Sequence, residues 1–218
     1  MRTSLDILGA NLTWGIIAGS LLLALFAKLA RDLIGQELGE FDALVGGFIR
    51  SPACDSLDHL AVFITNMGSA TFEIGLFLIT GGYLLYNLKQ VWETSMLAAS
   101  LAGGWLLNTV LKEAFHRTRP DIQHLVSAGG YSFPSGHAMI ATAFYGMLGY
   151  LIWINLRRSS KPSWYVMVLT FVLVVAIGIS RVYLGVHFPS DVIAGFAAGG
   201  VWLLACVLAL GAVRRRRD

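Results

Sequence analysis

The sequence is poor in charge: Asp, Glu, Lys and Arg together make up 13% of its 218 residues. A soluble globular domain carries about 25%, so a chain that exposes a water-facing surface all round is excluded. Cysteine is nearly missing as well, with two residues. Cys54 falls in a loop and Cys206 deep in an apolar run, too far apart in membrane depth to pair, so neither a disulfide framework nor a cysteine metal site is expected. Low-complexity linkers and clear internal repeats are also lacking, which argues for a single unit over 1–218. The formal charge of +3 and the pI near 9.0 raise the question of nucleic acid. The basic residues are dispersed apart from Arg157, Arg158 and Arg214 to Arg217, however, and read as cytoplasmic anchoring. No nucleic-acid partner is expected.

Apolar residues are what the chain has in quantity, 56% of the total, with a mean hydropathy of +0.67. A hydrocarbon core of ~30 Å takes roughly 20 apolar residues per helical span, and about six such runs are present. They lie near 12–34, 70–88, 91–113, 137–156, 163–182 and 191–213. The expected fold is all-α: an integral membrane bundle of six transmembrane helices, embedded in the lipid bilayer, with a short interfacial helix at about 56–67 in the first outer loop. Arg2 ahead of the first run admits a signal peptide, but Asp6 dilutes the charged region and no A-x-A site follows, so the run is read as a span. Gly195 and Gly199, at GxxxG spacing, suit close helix packing.

Short loops force alternate helix directions. The end of span three, the start of span four, the end of span five and the start of span six therefore share one face. That face collects Lys112, Arg117 and Arg119, then Ser135, Gly136 and His137, then Ser180 and Arg181, then His187 and Asp191. Counting positive residues gives nine on the opposite face and seven on this one, or nine against four once Lys112, Arg119 and Arg181 are assigned to chemistry. The positive-inside rule then puts both termini in the cytoplasm and the polar cluster on the periplasmic or exterior side of a cell membrane.

Ionisable groups at membrane depth are costly unless paired or facing a cavity, so such a cluster marks a functional site. Lys112, Arg119 and Arg181 offer charge and forked donors suited to phosphate oxygens. In "PSGH", Pro134 suits the first turn of a helix whose free N–H groups seat an anion. Ser135 adds a hydroxyl, Gly136 lets the anion approach the backbone, and His137 points at the same place. Taken alone, this tetrapeptide is equally compatible with plain helix capping. In "SRVYLGVHFPSD", Asp191 lies four residues after His187, within reach of Nδ1, which leaves Nε2 as a nucleophile. His137 is then the acid for the leaving oxygen and the base for water. No carboxylates cluster to hold a metal, and no cofactor is expected. Arg117, His116, Tyr183 and Glu73 are read as interfacial packing.

Three motifs carry a resemblance: "KEAFHRTRP" (Lys112 to Pro120), "PSGH" (Pro134 to His137) and "SRVYLGVHFPSD" (Ser180 to Asp191). They match K-x6-R-P, PSGH and S-R-x5-H-x3-D with spacing intact. By them the chain resembles the membrane branch of the type 2 phosphatidic acid phosphatase superfamily, over about 91–213. The resemblance implies His187 as nucleophile, Asp191 as its partner, His137 as acid, and Lys112, Arg119, Ser135, Gly136 and Arg181 as phosphate ligands. It implies a metal-independent lipid phosphatase working through a phosphohistidine on undecaprenyl pyrophosphate, phosphatidylglycerophosphate or phosphatidic acid. A lipid phosphotransferase and a non-catalytic phosphate-lipid binding or transport protein stay open as alternatives.

Overall fold

The computed structural model describes residues 4–215, with side chains from Thr13 onward. Arg2, Arg216 and Arg217, which enter the orientation count, and the side chain of Asp6 lie outside the described residues. Eight helices and no strand occur among them: α1 (Ser4–Ile34), α2 (Gly39–Arg50), α3 (Asp55–Met67), α4 (Ala70–Tyr86), α5 (Val91–Phe115), α6 (Gly136–Arg158), α7 (Trp164–Tyr183) and α8 (Pro189–Arg215). Helices α1, α5, α6, α7 and α8 are each long and apolar enough to cross a membrane. Helices α3 and α4 qualify together as a sixth span, bent by 50°. The bend sits at Gly68 and Ser69, where Ser69 caps α4 by accepting from the Phe72 N–H. The helix expected at 56–67 is thus α3, which meets the second span at this bend.

Helix α2 was not expected. Its sequence, GEFDALVGGFIR, is short and rich in glycine, which disfavours a helix. Tertiary contacts hold it nonetheless: Asp42 is buried while Leu44 and Phe48 face outward. The polar side points inward and the apolar side outward, the reverse of a helix on a soluble protein.

Helix α6 is the axis of the bundle, with Ala138, Met139, Ala141, Ala143, Phe144 and Met147 among its buried residues. Helix α8 lies against it at backbone distance. A Cβ on Gly195 would come within 2.7 Å of the Ser135 carbonyl oxygen, and one on Gly199 within 2.3 Å of that of Met139. Close packing of this kind brings the first turns of α6 and α8 together, and the Ser135 N–H donates to the Asp191 carbonyl at 2.9 Å. At the other end Arg214 grips Glu93 with Nε and Nη2, at 3.0 and 2.6 Å, tying the end of α8 to the start of α5. Both cysteines are free thiols.

A Gly199→Leu substitution is expected to force α6 and α8 apart at a cost of about 1–3 kcal/mol. Gly211→Leu, where a Cβ meets nothing within 4 Å, serves as the control. Thermal unfolding in detergent checks this: the first variant melts lower, the second close to the parent.

Candidate active site

The polar end of the bundle is built from four helix termini. Helix α5 stops at His116, which adopts the left-handed conformation (φ 49°) and donates its N–H to the Lys112 carbonyl. That leaves Lys112 on the last turn and sends the chain back across the end of the bundle. Along this segment, at 116–135, come Arg117, Arg119, Ser132 and Ser135. Helix α6 begins at Gly136, with Ser135 as its extended N-cap (φ −65°, ψ 116°). Pro134 therefore precedes the cap, in contrast to the first-turn position expected from the sequence. Its ring carries no N–H and its carbonyl instead accepts from Asn108 Nδ2 at 3.3 Å. Plain capping is not what Ser135 does: it makes no side-chain cap bond, and its buried hydroxyl has no partner.

His187 and Asp191 sit on either side of the α8 start. His187 is 3% exposed and Asp191 wholly buried. Nδ1 of His187 lies 3.4 Å from Asp191 Oδ2. Arg119 Nη1 is 3.3 Å from Nε2 of the same ring; a guanidinium only donates, so Nε2 carries the lone pair and Nδ1 the proton. The carboxylate of Asp191 is anchored on both oxygens. Oδ2 accepts from the Ser132 hydroxyl and from the Phe188 N–H at 2.9 Å, and Oδ1 from Arg117 Nη1 at 2.6 Å.

Arg117 corrects the reading of that residue as interfacial packing. Besides Asp191, it bridges to Asp42 Oδ2 at 2.6 Å and lies 4.1 Å over the Phe188 ring. Asp42 in turn accepts from the Ser190 N–H and hydroxyl, at 2.9 and 2.7 Å. Helix α2 is thereby locked onto the start of α8. Tyr183 is likewise engaged, its hydroxyl donating to Asp58 at 2.6 Å, and His116 packs edge-on against Tyr131. Sequence reasoning missed Asp42, Ser132 and Ser190 altogether. The only available signal was a buried-type acid in an apolar stretch, FDALVGGF.

The cations differ in how far they are engaged. Lys112 Nζ donates to the Tyr131 carbonyl at 2.8 Å. Arg119 is held by the carbonyls of Gly129 and Val186, both at 2.7 Å, and of Gly130 at 3.1 Å. Arg181, 5% exposed, donates Nη1 to Thr65 at 2.7 Å, but its buried Nε has no partner. His137, partly buried in the first turn of α6, is within electrostatic reach of Arg181, His187, Lys112 and Arg119. Gly136 has a packing reason of its own, since a Cβ there would meet Asn108 Oδ1 at 2.9 Å. All eight residues expected from the sequence thus gather at one rim. Among the described residues no group of three or more His, Cys, Asp or Glu is placed to hold a metal ion.

An all-helical bundle of this kind, with five or six helices long and apolar enough to cross a bilayer and a charged cluster at one end, is the fold of an integral membrane protein. The chain belongs to the PAP2 superfamily, whose family model matches residues 93–215. It is 38% identical over 143 residues to phosphatidylglycerophosphatase B of Bacillus subtilis, covering 66% of this chain and 70% of that protein. To lipid A 1-phosphatase of Rhizobium etli it is 30% identical over 183 residues, covering 73% of each. The crystal structure of a transmembrane PAP2-type phosphatidylglycerolphosphate phosphatase from Bacillus subtilis superposes with a TM-score of 0.81 at 30% identity, over 92% of this chain and 97% of that one.

Burial pushes His187 down from 6.5 to about 4, against the opposing pull of Asp191. The folded state therefore holds a neutral ring that the unfolded chain protonates below 6.5. Stability from this group is complete above 6.5 and lost as pH falls towards 4, by a total on the order of 3 kcal/mol. A His187→Gln variant is expected to keep that portion. Thermal scans of both proteins between pH 7 and 4.5 check it; parallel losses would contradict a buried neutral imidazole.

Proposed function

We propose that the protein is a single-domain, metal-independent lipid phosphatase that hydrolyses a phosphomonoester or pyrophosphate through a phosphohistidine. The observation that carries the reading is the pair of buried donors without a protein partner, Ser135 Oγ and Arg181 Nε, on the rim that also holds both histidines. Buried polar groups are normally satisfied, and two cationic or hydroxyl donors facing one place suit a tetrahedral anion. Lys112, Arg119, Arg181, Ser135 and the backbone at Gly136 would hold the phosphate oxygens.

In the first step the Nε2 lone pair of His187 attacks phosphorus, the P–O bond to the lipid breaks, and the leaving oxygen takes a proton from His137. Asp191 holds the Nδ1 proton and steadies the positive charge that forms on the ring. The cations meet the negative charge on the equatorial oxygens. In the second step water gives its proton to His137 and attacks phosphorus, the P–N bond breaks, and inorganic phosphate departs. With a pyrophosphate the leaving group is the lipid monophosphate. The phosphatase names of the relatives support a lipid phosphate as substrate, and hydrolysis without added metal follows from cations supplied by the protein itself.

Brief reaction with a 32P-labelled lipid phosphate, followed by quenching, is expected to yield an acid-labile, base-stable label on the wild type in the presence of EDTA. His187→Ala is expected to lose the label together with at least about 10³-fold in kcat. A His187→Ala variant with full phosphate release would remove the proposal.

The same reading places the rim on the periplasmic or exterior face with both termini in the cytoplasm, supported by the excess of Lys and Arg at the opposite end. Cys54 is exposed and Cys206 is 4% exposed, so a membrane-impermeant maleimide tests it. Labelling of Cys54 in intact cells is the expected result; labelling only after lysis would invert the orientation.

A further inference from the structure

Glu73 is a carboxylic acid for which the two-step reaction has no use. It stands on the first turn of α4, 1% exposed, and neither carboxyl oxygen has a hydrogen-bond partner. An unpaired buried carboxyl destabilises a fold, and more so at membrane depth. A hydrogen-bonding group arriving from outside the protein would relieve that cost.

Two cavities meet at this side chain. One, of 220 Å³, is bordered by Glu73, Trp105, Asn108, Thr109, Gly136 and His137. The other, of 260 Å³, is bordered by Glu73 and otherwise by apolar side chains, Ile74, Leu101 and Ala102 among them. Ala70, Glu73 and Trp105 border both, so the two cavities are neighbours on either side of the Glu73 side chain. Ile74, 50% exposed on the outside of the bundle, borders the apolar cavity, and His137 borders the other.

The cavities' place in the reaction follows from in-line displacement. Attack by His187 expels the leaving oxygen from the far side of phosphorus, where His137 protonates it. The cavity that His137 borders and His187 does not therefore receives the first atoms of the leaving alcohol. Its volume equals that of roughly seven waters, room for a three-carbon polyol, and the apolar cavity beside it accommodates hydrocarbon. A plain prenol would leave both Glu73 oxygens unpaired there.

We propose, resting on the phosphatase reading, that Glu73 is a specificity-determining residue: its carboxyl exchanges a hydrogen bond with a free hydroxyl on the leaving alcohol. The site then prefers phosphomonoesters of a polyol head group, such as lipid-borne glycerol, over those of an unfunctionalised prenol.

The test uses the full-length protein in detergent with two substrates, phosphatidylglycerophosphate and its analogue lacking the head-group hydroxyl beside the scissile ester. The wild type is expected to favour the first by about 10-fold or more in kcat/KM, the range of one hydrogen bond to an ionisable group. Glu73→Leu abolishes that preference by slowing the first substrate while leaving the analogue within about 2-fold. Glu73→Gln, isosteric and still able to bond a hydroxyl, retains most of it. Equal rates for the two lipids in the wild type overturn the proposal without any variant, and an equal loss on both lipids in Glu73→Leu overturns it by assigning Glu73 a structural role. Failure of the underlying reading looks different: the wild type then releases no phosphate from either lipid, and both proposals fall.

Discussion

The polar end of this bundle depends on one buried carboxylate. Asp191 is reached by Arg117 and Ser132 from the α5–α6 segment, by the Phe188 N–H and by His187, while its carbonyl accepts from Ser135. An uncompensated carboxylate at this depth would cost several kcal/mol. Every segment that brings it a donor is thereby fixed relative to α8. The same contacts set the tautomer of His187, because a carboxylate beside Nδ1 and a guanidinium beside Nε2 leave one arrangement of the ring proton. Positioning and electrostatics are a single network here, and Arg117 is its hinge to α2: remove the guanidinium, and Asp42 and Asp191 are both left buried without their counter-charge.

Such a network needs helices that approach closely at that end. Gly195 and Gly199 supply the approach of α8 to α6, which in a bilayer comes from van der Waals packing and not from expulsion of water. Phe26, Phe115 and Phe133 pack beside it, with Phe115 and Phe133 ring centroids 5.0 Å apart, and seat the end of α5 against the segment that carries Ser132. Apolar packing among Phe26, Phe115 and Phe133 thus adjoins the segment that carries the charged cluster.

The spans were legible in the sequence because 20-residue apolar runs have few other solutions, and the rim was legible because short loops force alternation. The helix ends carrying Lys112, His137, Arg181 and Asp191 fell where that logic put them. What escaped has a common cause. Asp42, Ser132, Ser190 and Arg117 meet across long separations, Arg117 lying 75 residues from Asp42 and 74 from Asp191. No local period or spacing encodes such pairs. Helix α2 escaped for a related reason: its two adjacent glycines, Gly46 and Gly47, argue locally against a helix, and only its docking through Asp42 outweighs them. Pro134 misled by two residues because proline is favoured in a first turn, whereas here it precedes the cap and its carbonyl accepts from Asn108.

Satisfied and unsatisfied atoms are not spread evenly around the histidines. Behind His187, on the Asp191 side, each acceptor has its donor. Among the described residues, the buried side-chain atoms lacking a partner are Ser135 Oγ, Arg181 Nε and the two Glu73 oxygens. Two, a hydroxyl and a guanidinium nitrogen, belong to the rim with the imidazoles, and two are carboxyl oxygens of a residue that borders a cavity together with His137. A ligand with an anionic end and a hydrogen-bonding group a few atoms away would satisfy both sets at once, and the cost the empty fold bears in leaving them unpaired is the same free energy that such a ligand gains on binding. Arg119 adds a graded element to this: its donors rest on the carbonyls of Gly129, Gly130 and Val186 and against Nε2, so a phosphate must compete for them. Nε2 of His187 is thus covered by the Arg119 guanidinium, 3.3 Å away, and an anion that drew the guanidinium off would uncover it.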